Sequence, residues 1–141
     1  MNFLDKIIET KKKELAESNI KSIDKEPSNT LSLKKFLSMP GVSVIAEIKM
    51  KSPSEGDIFL NADPIQIAKD YQSAGAKAIS ILTDKKYFGG SIEVLESVKD
   101  AVSVPVIRKD FIISEFQIAQ TSKAGADAFL LISEILDANL I

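Results

Sequence analysis

The sequence contains no cysteine and no histidine. Without cysteine there are no disulfides and no thiolate metal sites. Without histidine, the commonest metal ligand and the commonest general base are both missing. Any catalysis must therefore rest on lysine, aspartate or glutamate, serine, tyrosine or backbone groups. An excess of one charge is also lacking. The 18 basic and 20 acidic residues leave a net charge of −2, which gives no broad electrostatic case for nucleic acid or an anionic membrane. No apolar run approaches the ~18 residues of a spanning helix. The opening segment, MNFLDKIIETKKKELAE, is too charged for a secretory signal. A P-loop, a dinucleotide fingerprint and a metal-ligand cluster are absent too. The expected location is cytoplasmic, with no metal and with neither nucleic acid nor membrane as partner.

What is present is a chain of 141 residues, 45% hydrophobic and 27% charged, long enough for one domain with a real core. Residues 3–17 carry Phe3, Leu4, Ile7, Ile8 and Leu15 near one face and read as an amphipathic helix. Lys11, Lys12 and Lys13 fall late in that helix, where the dipole favours them, and read as solvated rather than as a ligand site. Residues 18–30 are polar, include Pro27 and read as a linker. A short helix is expected from about Leu31, ending before Pro40-Gly41.

Beyond Gly41 the rhythm changes. Short β-rich runs occur at 43–49, 78–83, 104–109 and 128–132, with helical patterns between them at about 64–74, 91–101 and 114–124. Asp63-Pro64 is a helix-start signal. The stretch Ala74-Gly75-Ala76-Lys77-Ala78-Ile79 returns as Ala124-Gly125-Ala126-Asp127-Ala128-Phe129, and in each copy the glycine fits a helix C-cap before the next strand. Such alternation calls for parallel strands and right-handed crossovers. Four βα-type steps fit either a small doubly wound sheet or half of a (β/α)8 barrel, which needs roughly 250 residues when complete. The closing DANLI reads as part of a helix.

The strand ends carry unexpected charge. Alternation puts Val44, Ala46 and Ile48 on one face of the first strand and Ile45, Glu47 and Lys49 on the other. In the third strand, Pro105, Ile107 and Lys109 share a face. A single lysine at a strand end is an ordinary solvated terminus. Two lysines and a glutamate at equivalent ends, where parallel α/β folds keep their ligand sites, point to a functional site. A lysine in a dry pocket or near other cations can serve as a general acid, held protonated or oriented by Glu47. The loop Ser52-Pro53-Ser54-Glu55-Gly56 is turn chemistry placed where a substrate loop would sit. Ser91, after Gly89-Gly90, is either a plain N-cap or part of an anion cradle. Phe88 and Phe111 are candidates for the core or for a pocket wall.

These residues resemble a known family. Val44-Ile45-Ala46-Glu47-Ile48-Lys49 followed by Lys51-Ser52-Pro53-Ser54 and Gly56 resembles the signature of the indole-3-glycerol-phosphate synthases. So do Ser80-Ile81-Leu82-Thr83, Lys86-Tyr87-Phe88, Gly90-Ser91, Arg108-Lys109-Asp110-Phe111, Gln117-Ile118 and Gly125-Ala126-Asp127, in order along the chain. The resemblance implies a (β/α)8 TIM barrel with an N-terminal helical extension. Residues 1–40 would be that extension, and 41–141 the first half of the barrel, ending after strand four. It implies conversion of 1-(2-carboxyphenylamino)-1-deoxyribulose 5-phosphate to indole-3-glycerol phosphate in tryptophan biosynthesis, a carboxy-lyase reaction that releases carbon dioxide and water and uses no cofactor. By motif, Lys109 would be the general acid, Lys49 the second active-site lysine and Glu47 the glutamate of strand one. Ser52 and Pro53 would lie in the loop near substrate, with Phe88, Phe111 and Leu130 as the apolar wall. The family's remaining catalytic groups and its phosphate site belong to its second half. The alternative is a non-catalytic half-barrel, self-associating through open sheet edges, where two copies would make eight strands.

Overall fold

A computed structural model describes residues 2–18, 30–58 and 61–136. Its centre is a four-stranded parallel sheet of β1 (Ile45–Ile48), β2 (Ala78–Leu82), β3 (Val106–Lys109) and β4 (Ala128–Phe129), paired in sequence order. Among the described residues five α-helices accompany it: α1 (Phe3–Glu17), α2 (Leu33–Leu37), α3 (Pro64–Ser73), α4 (Ile92–Ala101) and α5 (Glu115–Lys123). Each strand pairs with the one before it in parallel, so every connection is a crossover through a helix, as the alternation predicts.

Local chemistry sets the boundaries. Asn2 and Asp5 form a reciprocal capping box at the start of α1. Asp63 caps α3 with Pro64 at its first turn, and Ser91 and Ser114 cap α4 and α5. Ser91 is thus a plain N-cap, accepting from the Val94 amide. The two repeated glycines end α3 and α5 in the left-handed region, Gly75 at φ 96° and Gly125 at φ 77°. The sheet's strands are shorter than the apolar runs. The fourth stops at Phe129 rather than 132, although the Leu130 amide still donates to the Arg108 carbonyl, and the chain then enters a 3-10 turn at Ser133–Ile135. The expected linker lies almost wholly outside the described residues, as does the closing DANLI.

Among the described residues, helices cover one side of the sheet only. Ile48, Ile79, Ile81 and Val106 face them and pack with Ala68, Leu95 and Val98 into the core. Phe36 of α2 is partly buried against the same core. The opposite side is concave and open: Ile45 of the outermost strand is 45% exposed despite being apolar. At the amino end of the sheet, Asp127 accepts from the Leu31 amide, the Lys99 ammonium and the Val106 amide, fastening the segment before α2 to the barrel strands. At the carboxyl end lies α1.

Candidate active site

The site forms at the carboxyl ends of β1 and β3. Alternation sends Glu47 and Lys109 to the concave side, while Ile48 and Arg108 turn to the helices. Glu47 and Lys109 lie on either side of β2, opposite Ser80 and Leu82 respectively. The Lys109 ammonium nevertheless donates to Glu47 Oε2 across that strand at 2.7 Å. The pair is neither buried nor fully solvated, with side-chain exposures of 40% and 35%. An ion pair in that position is held by geometry and is open to exchange with a ligand.

Around it is a cavity of about 130 Å³ whose apolar wall includes Leu82, Phe88, Phe111, Leu130 and Ile132. The rings of Phe88 and Phe111 are tilted by 32° with centroids 6.2 Å apart. Both are half-buried and line the cavity. Lys49 lines the same cavity, yet its ammonium is paired at 3.2 Å with Glu55 of the following loop. Hydrogen bonds from Lys49 and Ser52 hold the Glu55 carboxyl below its usual range. Ser52 is buried and organises this loop: it accepts from the Glu55 amide and donates to the Glu55 carboxylate. Pro53 sits exposed in the turn. Neither Ser52 nor Pro53 lines the cavity, so the structure brings together Glu47, Lys49, Lys109, Phe88, Phe111 and Leu130, with Ser52 and Pro53 beside them.

A second set of charges lies behind the sheet, and here a sequence expectation is corrected. Lys11 is not solvated: it is 5% exposed, with its ammonium 2.8 Å from Asp84 Oδ2, 3.0 Å from Glu14 and 3.2 Å from Asp110 Oδ1. It follows Ile7 and precedes Leu15 at helical spacing, on the buried face of α1, and the last turn of α1 carries no basic residue. Lys12 and Lys13 are exposed as expected. Burial acts to lower the Lys11 pKa, but Asp110 and Asp84 outweigh it and hold the ammonium above its ordinary value. Asp110 shows the reverse balance. Burial raises its pKa, and Lys11, Thr83 and Arg108 bring it below the ordinary value.

Arg108 completes the cluster. Its guanidinium donates to Thr83, to the Gln117 carbonyl, to Thr121 and to Asp110, so each nitrogen of a buried cation has a partner. Gln117 in turn donates to the Phe111 carbonyl and accepts from the Ile113 amide. The sequence reading assigns no site role to Thr83, Asp84, Arg108, Asp110 or Gln117. The available signal was a lysine on the apolar stripe of α1 and an arginine on the helix-facing side of β3. A larger hollow of about 370 Å³ adjoins this cluster between α1 and the starts of α4 and α5. Its buried cations are already committed to protein partners, which leaves it poorer in available chemistry than the concave site.

A parallel sheet in sequence order, covered by helices on one side and bearing charged residues at the carboxyl ends on the other, has the architecture of part of a (β/α)8 barrel. The model of the family described as indole-3-glycerol phosphate synthase matches residues 4–141. The chain belongs to the indole-3-glycerol phosphate synthase family. It is 48% identical over 139 residues to an indole-3-glycerol phosphate synthase of Exiguobacterium sibiricum, covering 97% of this chain and 54% of that protein. It is 47% identical over 133 residues to one of Leptospira interrogans, covering 94% of this chain and 52% of that protein. With the one of Desulfotalea psychrophila it shares 43% identity over 144 residues, covering 96% of this chain and 55% of that protein. The chain therefore spans about half the length of the curated relatives it matches. Among the described residues no helix is long and apolar enough to cross a membrane, and no group of acidic residues is placed to hold a metal ion.

Proposed function

We propose that this chain provides the first half of an indole-3-glycerol-phosphate synthase active site, with residues 1–40 as helical extension and 41–141 as the first four βα units, acting in the cytoplasm. The observation that carries the reading is the Lys109–Glu47 pair at 2.7 Å, set in a cavity walled by Phe88, Phe111 and Leu130. An aromatic ring lying against that wall puts its reacting atoms beside an ammonium group. In the reaction, the ring carbon bearing the carboxylate attacks the ketone carbon of 1-(2-carboxyphenylamino)-1-deoxyribulose 5-phosphate. Lys109 donates a proton to the ketone oxygen as the carbon–carbon bond forms, so a hydroxyl develops in place of an alkoxide. Carbon dioxide then leaves, and its bonding electrons restore the aromatic ring. The hydroxyl departs as water with a proton lost from the neighbouring methylene carbon, giving the indole. Glu47 aims the Lys109 ammonium. Lys49 exchanges Glu55 for the substrate carboxylate and assists the dehydration.

A second reading is a non-catalytic half-barrel that self-associates. It draws on the exposure of Ile45 at 45%, Leu130 at 41% and Leu131 at 37%, and on the single neighbour that β1 and β4 each have among the described strands. The discriminating experiment follows product fluorescence with the chain at high concentration while recording its mass in solution. Turnover that Lys109→Ala abolishes supports the catalytic reading. A folded, soluble, inactive oligomer that fails to bind the substrate would reject it for this chain and leave the second.

A further inference from the structure

Lys11 is more than an anchor for α1. Asp84 accepts the amides of Tyr87 and Phe88 on Oδ1, at 2.7 and 3.2 Å, while Lys11 approaches its Oδ2. Asp110 accepts the Phe111 amide on Oδ1 at 2.8 Å, and Lys11 approaches that same oxygen. One buried ammonium therefore lies beneath both aromatic residues of the wall, joined to each through a single carboxylate that holds its backbone N–H. The two carboxylates follow β2 and β3 respectively and would repel each other without the cation between them. The Phe88 carbonyl continues the chain of contacts by accepting the Lys51 amide of the β1 loop at 3.2 Å.

We propose that Lys11 is a positioning residue that sets the spacing of Phe88 and Phe111, and with it the fit of an aromatic ring against the wall. The substrate part of this inference rests on the reading of the concave cavity as the active site; the spacing part does not. Among the described residues, the other hydrogen bonds and ring contacts that α1 makes with the rest of the chain go to Lys86 and Tyr87. Thr10 meets the Tyr87 hydroxyl at 2.9 Å, and Phe3 meets the Tyr87 ring edge-on at 5.6 Å. Lys11 alone reaches the carboxylates behind both phenylalanines, so its removal should disturb the two together.

The test compares Lys11→Met with Lys99→Met in the full chain by NMR. Lys99 makes a lysine–aspartate pair of similar kind, 2.6 Å from Asp127, at the other end of the sheet. Both variants should lower the thermal midpoint. Only Lys11→Met should move the Phe88 and Phe111 amide resonances upfield together and weaken the cross-peak between the two rings. Anthranilate, used as an aromatic carboxylate probe, should bind Lys11→Met on the order of tenfold more weakly and Lys99→Met as it binds wild type. Lys11→Arg keeps the charge but changes the span between the carboxylates, and should also move both amides; it serves if Lys11→Met does not fold. A folded Lys11 variant in which either amide keeps its wild-type position overturns the proposal, as does Lys99→Met moving both. Failure of wild type to bind anthranilate while the amides respond as expected counts against the active-site reading and leaves the spacing role standing.

Discussion

Behind the carboxyl end of the sheet, Lys11, Asp84, Arg108 and Asp110 are at most 5% exposed; in front of it, Lys109 and Glu47 keep 40% and 35% of their side chains in contact with solvent. The two groups meet at β3, where Arg108, Lys109 and Asp110 are consecutive residues. Pleating alone assigns them to opposite sides. Behind the sheet, desolvation makes any unpaired charge costly, so each ion is locked to several partners and none is left for a ligand. In front, water pays part of the solvation and the pair can open. Burial thus divides neighbouring charges into a fixed frame and a usable site.

Several substitutions would break or sharpen that contrast. The largest effect belongs to the open pair: in an assembly that turns over, Lys109→Ala should lower kcat by about 10²–10⁴-fold with a modest change in KM, measured by product fluorescence. Retained kcat with a raised KM would sink the general-acid role. Its effect on stability should stay within about 1 kcal/mol, as for a half-exposed pair. Asp110→Asn reverses the pattern. It leaves Lys11 and Arg108 short of their anion and should cost about 3–5 kcal/mol in urea unfolding; a loss below that of Glu47→Gln would invalidate the division into frame and site. Next comes Gly90, where an added Cβ would fall 1.9 Å from the Leu82 carbonyl oxygen. Gly90→Ala should cost about 1–3 kcal/mol through displacement of the loop carrying Phe88, seen as a lower thermal midpoint.

A smaller effect is expected from pH. The Asp110 carboxyl lies below its ordinary 3.8, so the unfolded chain binds a proton more readily than the folded one. Its contribution is present above pH 3.8 and is lost as pH falls through the lower folded value. Urea midpoints should therefore drop with acidity in that window, and the part due to Asp110 should vanish in Asp110→Asn. The smallest effect concerns Glu55→Gln, which removes the anion from Lys49 on the surface. The urea midpoint should not move, while the amine of Lys49 should become more accessible to an acylating reagent followed by mass spectrometry.

Much of the frame was legible because short-range chemistry specifies it. Gly75 and Gly125, Asp63-Pro64 and Ser91 mark the helix ends, and strand alternation placed Glu47 and Lys109 on the open face. The meeting of Glu47 with Lys109 followed from two strands ending in charge at equivalent positions. The roles of Lys11, Asp84 and Asp110 were hidden, since their partners lie 73 and 99 residues from Lys11 along the chain. A run of three lysines looks like solvation unless each is assigned a helix face, and only Lys11 shares the face of Ile7. Strand four was overestimated because apolar residues 130–132 fit a strand or a cavity wall equally well; Leu130 and Ile132 line the site.

The ion pair between α1 and the loop after β3 also dictates an order of events during synthesis. At about 5–20 residues per second, roughly 5–20 s separate the making of Lys11 from that of Asp110. During that interval a helix of 15 residues, only marginally stable by itself, lacks the Asp110 partner that its lysine has in the folded chain. The first helix thus gains its full set of carboxylate partners only after β3 has been made.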